Sequence, residues 1–368
     1  MTTATSLRSR FVDLHALQSF PPSLLNRDDT GRAKSIVIGG VVRDRISSQA
    51  AKRPMRVGMR QAGIDGGSFA VRTNRLPRLV TEILTTTHTR DVDVAAQKAA
   101  TVITSIGLSA NAKTGNTSAG VFLAEPAIAD IAAIIDIAWD RITDTTPDDV
   151  TAAVKTTFDV TTAIDLALFG RMLAELDNGA YNVAAAASVA HPIGVAAAHV
   201  EGDFFTAVDD KADRAAGDAA SSNLGITDLT APTMYRYGSL NRDQLTSNLH
   251  AAPNLAGAAE RAFIEQFLLA VPSAKQPSTG ATTLPHFLVA VTSGRPTSAF
   301  DAFEEAITGT AVVATATTRL FAHISRTSRF QPAARIVVLP VSSDPASLPT
   351  IPGAQVVDSL DEFLEAIA

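Results

Sequence analysis

The chain has 368 residues, 46% of them apolar and 18% charged, a composition that supplies a sizeable core and excludes global disorder. It has no cysteine, which excludes a disulfide framework, thiolate metal sites and a cysteine nucleophile. The formal net charge of −6 speaks at first against a nucleic-acid partner. Its distribution does not: residues 25–60 carry nine Lys/Arg against three Asp, so that stretch is +6 and the remainder −12. Screening confines such fields to roughly 8 Å at physiological salt, so a polyanion would feel the local patch.

In chain order, residues 11–17 (FVDLHAL) alternate apolar and polar positions and predict a strand. A Pro-containing polar stretch follows, 21–32. Gly39-Gly40 marks a turn, and 41–46 (VVRDRI) can be a second strand or extended arm. Ser47 or Ser48 is placed to cap a helix on which Gln49, Lys52, Arg53, Arg56 and Arg60 share one face, being three and four residues apart. Pro54 removes a backbone donor there and predicts a bend or a late helix start.

Residues from about 63 to 150 read as a helical insertion, with helices at 91–106, 126–142 and 146–158 and a Ser/Thr/Asn/Gly loop at 107–120. Strands are expected at 161–169 and 187–196, and a protruding acidic loop or hairpin at 199–223. Asn241 caps a short helix, and 255–271 is an amphipathic helix stopped by Pro272. A strand at 284–292, a helix at 299–307, a strand at 335–341 and a helix at 358–368 complete the chain. Strands and helices mix without steady alternation, so the expected class is α+β. The N-terminus lacks an apolar leader, and Asp130, Asp136 and Asp140 interrupt the most apolar helix, so the expectation is a soluble cytoplasmic protein.

Residues 25–56 (LNRDDTGRAKSIVIGGVVRDRISSQAAKRPMR) resemble the N-terminal signature of the backbone subunit (CasC-type) of the type I-E CRISPR Cascade surveillance complex. The resemblance continues in 163–172 (AIDLALFGRM), 186–210 (AASVAHPIGVAAAHVEGDFFTAVDD), 234–245 (MYRYGSLNRDQL) and 271–276 (VPSAKQ). It implies a right-hand shape. A modified RRM-like (ferredoxin-like) palm, 1–60, 156–197 and 226–368, would carry a helical fingers insertion at 61–155 and a thumb hairpin at 198–225.

Members of that family assemble in several copies along one CRISPR RNA, with other Cascade subunits, and leave the spacer bases free to pair with target DNA. The resemblance implies that Arg27, Lys34, Gln49, Lys52, Arg53 and Arg56 surround the guide backbone, and the Ser47 hydroxyl is chemically suited to join that grip. Met172 corresponds to an apolar wedge near a displaced base. Phe205 and Val208 lie where the thumb packs on the guide–target duplex, and Lys275 is a further backbone or DNA contact. Phe204 stands where the family often has Trp.

The chemistry of the residues agrees. A protein that holds a guide of any sequence binds phosphates and sugars, because base edges must stay free. No aromatic-rich RRM signature is present, which favours clamping over base reading. The bland readings differ: the cationic run as a solvated helix face, Met172 as core, His191 as a structural histidine, and Asp28-Asp29 and Asp209-Asp210 as turn residues. The alternative function is a metal-dependent nuclease or hydrolase using Asp28, Asp29, Asp209 and His191. Gly39-Gly40 and Gly66-Gly67 lack a phosphate-cradle context. Neither catalysis nor a cofactor or resident metal is expected.

Overall fold

The first strand, Phe11–Ser19, has Val12, Leu14, Ala16 and Leu17 fully buried, but its polar positions Asp13, His15 and Gln18 are buried as well. The alternation suggested one wet face; the strand instead runs through the middle of a sheet. Each buried polar group therefore needs a partner. Asp13 accepts from the Tyr237 hydroxyl (2.9 Å) and the Thr297 amide (2.7 Å). His15 Nδ1 meets the Tyr235 hydroxyl at 2.9 Å. Gln18 donates to the Thr283 carbonyl at 2.6 Å and accepts from Arg236.

The computed structural model describes residues 9–158, 162–173, 176, 179–208, 221–249, 252, 254–331 and 334–368, with the side chains of 207, 208 and 221–224 outside that description. The seven-stranded sheet runs Gln355–Val356, Arg335–Pro340, Phe287–Ser293, Phe11–Ser19, Thr233–Asn241, Ala187–Val189, with Ile193–Gly194 also on Thr233–Asn241. Phe11–Ser19 pairs antiparallel with Phe287–Ser293, from Phe11↔Ser293 to Leu17↔Phe287. Arg335–Pro340 pairs in parallel with Gln355–Val356, so the sheet is mixed.

The chain divides into two units. The first comprises Met1–Gly58, Val189–Ser239 and Ile264–Ala368. Its core sets Leu17, Val289, Val291 and Val338 of the sheet against Leu320, Phe321 and Ile324 of the helix Val312–Thr327. That helix escapes the sequence reading because Val and Thr crowd its first turns; both are β-branched and favour strands. The second unit comprises Met59–Ser188 and Leu240–Phe263. Leu76–Thr86, Val92–Ser105, Pro126–Ile137 and Asp148–Thr156 pack there through Leu76, Val80, Ala99, Ile103, Ile131 and Ile135. Asp91 caps the second of these helices, accepting from the Asp93 and Val94 amides at 3.1 and 3.0 Å.

Three expectations are corrected. The expected strand at 161–169 does not form over its described residues, 162–169: Ile164–Phe169 is a helix, buried all round from Ile164 to Leu168, so no helical period is visible. Its Asp165 accepts from the Ala70 amide at 2.7 Å. The strand at 187–196 is broken into Ala187–Val189 and Ile193–Gly194, since Pro192 has no amide to add to a ladder. The helix at 299–307 is one tight turn, Phe300–Phe303. Among the described residues, no helix is long and apolar enough to cross a membrane.

Candidate nucleic-acid interface

A compact turn precedes the basic helix. Asp28 accepts from the Thr30 amide (2.9 Å), the Thr30 hydroxyl (2.8 Å) and the Arg32 amide (3.0 Å). The hydrogen bond from Thr30, with the backbone amides, holds its carboxyl below the usual range. Asp28 thus closes a turn whose arms pair at Arg27 and Ala33, leaving Arg27 exposed. The Lys34 amide donates to the Asn26 carbonyl at 3.0 Å, and the Arg45 amide to the Lys34 carbonyl at 2.9 Å. Asn26 Oδ1 also accepts from the Ser47 amide at 2.8 Å.

Ser47 then caps the helix Ser48–Ala62, its hydroxyl accepting from the Ala50 amide at 3.2 Å. Pro54 lies inside that helix, which starts on time and continues through it. Met55 is buried, and Ala50 and Ala51 pack on Phe20, Leu25, Ile46 and Met234. Gln49 and Arg53 are left exposed, with Lys52 and Arg56 half-buried.

The start of the helix is tied to a distant segment. Ser48 donates to the Val189 carbonyl at 2.7 Å, and the Ile46 amide to the Pro192 carbonyl at 3.0 Å. Between those anchors His191 projects beside Arg45, with Arg45 Nη1 to His191 Nδ1 at 2.8 Å. A guanidinium only donates, so Nδ1 accepts and the ring is neutral. Burial and then the charges of Arg45, Lys34 and Lys52 push its pKa below the ordinary value. Burial likewise lowers Lys52. Three cations from two segments therefore raise one local positive potential around a neutral imidazole.

Arg45 and His191 belong to this cluster, yet the sequence reading placed neither there. Only the segment 189–192 crossing the helix start makes them neighbours. Two members of the cationic run lie elsewhere. Arg43 is fully buried, donating to the Gly194 (2.9 Å), Phe303 and Glu304 (both 3.3 Å) carbonyls. Arg60 is engaged with Glu125 (2.7 Å) and the Ala70 carbonyl (2.9 Å).

The hairpin Glu201–Val208/Ser221–Leu229 occupies the region expected to protrude. Phe204 faces Ile226 across it, 62% and 72% exposed, and Phe205 faces Gly225, with Phe205 44% exposed. Val208 opposes Ser221 in backbone only, and Asp209 and Asp210 lie outside the described residues. A cavity of about 420 Å³ at the hairpin base is lined by Asp44, His199, Glu201 and Asp203, among others. Lys275 is exposed in a left-handed backbone conformation (φ 56°), and its carbonyl accepts from the Ser278 and Thr279 amides.

In the second unit, Met172 is 84% exposed because its neighbours Arg171 and Leu173 point inward. The Arg171 guanidinium is held by the Phe158 (2.6 Å) and Tyr181 (2.7 Å) carbonyls. Among the described residues, no group of three or more His, Asp or Glu comes together as a metal site.

The model of one family, described as CT1975-like protein, matches residues 12–366. A chain of a "CRISPR RNA-guided surveillance complex, pre-nicking" superposes with a TM-score of 0.84 at 32% identity, covering 97% of this chain and 100% of that one. A chain of a "CRISPR RNA-guided surveillance complex" gives 0.73 at 28% identity, covering 97% and 99%. Among curated proteins none matches.

Proposed function

The chain belongs to the CT1975-like protein family, and from that premise we propose that it is the guide-RNA-binding backbone subunit of a type I-E-like CRISPR surveillance complex. Several copies line up along one CRISPR RNA in the cytoplasm, joined by other subunits, and present the spacer to target DNA. In this reading the sheet-bearing unit is an RRM-like palm, the helices of 61–155 are fingers, and the hairpin is a thumb. The subunit is a holder of nucleic acid and performs no catalysis.

One observation carries the proposal: Lys34, Arg45 and Lys52 converge on His191 beside the exposed face of a capped helix. A concentrated positive potential on a chain of net charge −6 suits a phosphodiester backbone. Arg27, Gln49, Arg53 and Arg56 extend the same grip, with the Ser47 hydroxyl committed to its helix. Met172, Phe205, Val208 and Lys275 are the contacts to displaced base and duplex. Such a grip is blind to sequence, as a guide holder requires.

The test is purification of the protein and assay of co-purifying RNA. Lys52→Glu is expected to reduce RNA content whatever the guide sequence. RNA content unchanged by Lys52→Glu, together with metal-dependent cleavage abolished by Asp28→Ala, overturns this reading in favour of a nuclease.

A further inference from the structure

A second part of the chain is purely cationic. Residues 306–343 contain Arg319, Arg326, Arg329 and Arg335 and no Asp or Glu. Arg326, Arg329 and Arg335 are exposed, as is Arg295. Phe330 among them is 87% exposed. Arg319 stands apart, donating to the Glu305 carbonyl at 3.1 Å.

The fold brings the other four arginines to one end of the sheet. Arg326 lies in the last turn of the helix Val312–Thr327, and Arg329 and Phe330 in the tight turn Ser328–Phe330 that continues it. Gln331 follows and donates to the Thr297 hydroxyl at 2.6 Å, two residues beyond Arg295. Arg335 opens its strand opposite Thr292. This is the end of the sheet where Phe11 opposes Ser293.

The basic helix joins at the other end, where Ala50 and Ala51 pack on Phe20, the residue after Ser19. The nine residues of Phe11–Ser19 separate the two ends, roughly 26 Å at about 3.3 Å per residue. A single phosphate contact does not reach both.

Of the nearby carboxylates, Asp13 is buried on Tyr237 and Thr297, while Asp301 and Arg326 both act on His323. Among the described residues, no carboxylate forms an ion pair with Arg295, Arg326, Arg329 or Arg335. The exposed ring decides the occupant. An acidic protein face would need the arginines alone, whereas an unstacked base offers Phe330 a π-face and the flanking phosphates offer the arginines charge.

We propose that Arg295, Arg326, Arg329, Arg335 and Phe330 form a second nucleic-acid site, specific for a single strand and separate from the basic helix. It stands independently of the reading given to that helix.

The test uses the full chain carrying Lys52→Glu and Arg56→Glu, which silences the helix face. A fluorescein-labelled 20-nucleotide oligo-dT is titrated by anisotropy between 50 and 200 mM salt, a range over which phosphate contacts lose most of their strength. Adding Arg329→Ala and Arg335→Ala is expected to weaken binding and to lower the salt slope by about 1.4, roughly 0.7 per lost phosphate. Phe330→Ala is expected to cost about 5- to 150-fold, and Phe330→Tyr to restore binding.

Arg329, Phe330 and Arg335 are exposed, so adding their substitutions to the Lys52→Glu, Arg56→Glu chain should leave its circular-dichroism melting unchanged. Binding indifferent to the arginines overturns the proposal. So does binding indifferent to Phe330 but fully competed by polyglutamate, which would mark a surface for an acidic protein. Guide RNA retained despite Lys52→Glu and Arg56→Glu counts against the helix reading alone.

Discussion

The ring of Phe205 lies against the backbone of Gly225, its partner across the hairpin: a Cβ built on Gly225 would sit 2.7 Å from the ring's Cε1. Glycine is therefore what lets a half-exposed aromatic lie flat at that position. Gly225→Ala should push the ring outward without removing it, and Phe205→Ala should remove it. Both are expected to impair target-DNA engagement, read by gel shift of the assembled complex, while guide RNA content stays within about twofold. Equal loss of guide and target would contradict the role given to Phe205.

The cations of the N-terminal stretch should separate into two kinds. Lys52→Glu and Arg56→Glu are expected to weaken RNA binding for all sequences, each lost phosphate contact lowering the salt slope by about 0.7 on a single strand. Thermal stability should fall modestly, since both side chains are half-buried. Arg43→Ala should do the opposite, because its buried guanidinium satisfies three carbonyls. Leaving buried acceptors unmade costs about 1–3 kcal/mol each, so unfolding in urea should report a large loss.

If the proposed RNA site is right, RNA binding should depend on pH through His191. In the free protein burial and then Arg45, Lys34 and Lys52 depress its pKa. The unfolded chain binds the proton more readily, so this group's contribution to stability is present above the ordinary histidine value, about 6.5, and is lost as pH falls through the depressed one. A bound phosphate offsets the surrounding positive charge and raises the value again. RNA affinity should therefore rise as pH falls from about 8 to about 6, with at most about one proton taken up per copy. His191→Gln should flatten the profile in a filter-binding series.

In the second unit, Arg242 and Glu260 form a buried pair, 5% and 7% exposed, with Nη2 to Oε1 at 2.6 Å and Nε to Oε1 at 3.0 Å. Glu260→Ala strands a buried guanidinium and should destabilise by about 3–5 kcal/mol. The double change Arg242→Met with Glu260→Leu should recover much of that in denaturant melts.

What could be read from the chain was local. Asn241 is a cap, a helix follows Asp91 as expected, the hairpin and basic helix occur where predicted, and the Ala/Val strand near 187 exists in part. Two of the failures came where burial was complete. Ile164–Phe169 is covered on every side, and Asp13 and His15 sit inside a sheet that the alternation suggested was half wet. Complete burial erases the contrast between faces on which periodicity depends.

The sequence by itself determined the concentration of cations at residues 25–60, the serine that starts their helix and the three- and four-residue spacing that gives them one face. Those are properties of neighbours along the chain. Only the tertiary structure decided that Arg43 turns inward, that Arg45 meets His191 across 146 residues of sequence, and that Arg295 and Arg335 share one end of the sheet. Strand register and long-range hydrogen bonds set those positions, and both arise from packing between segments that local propensity does not see.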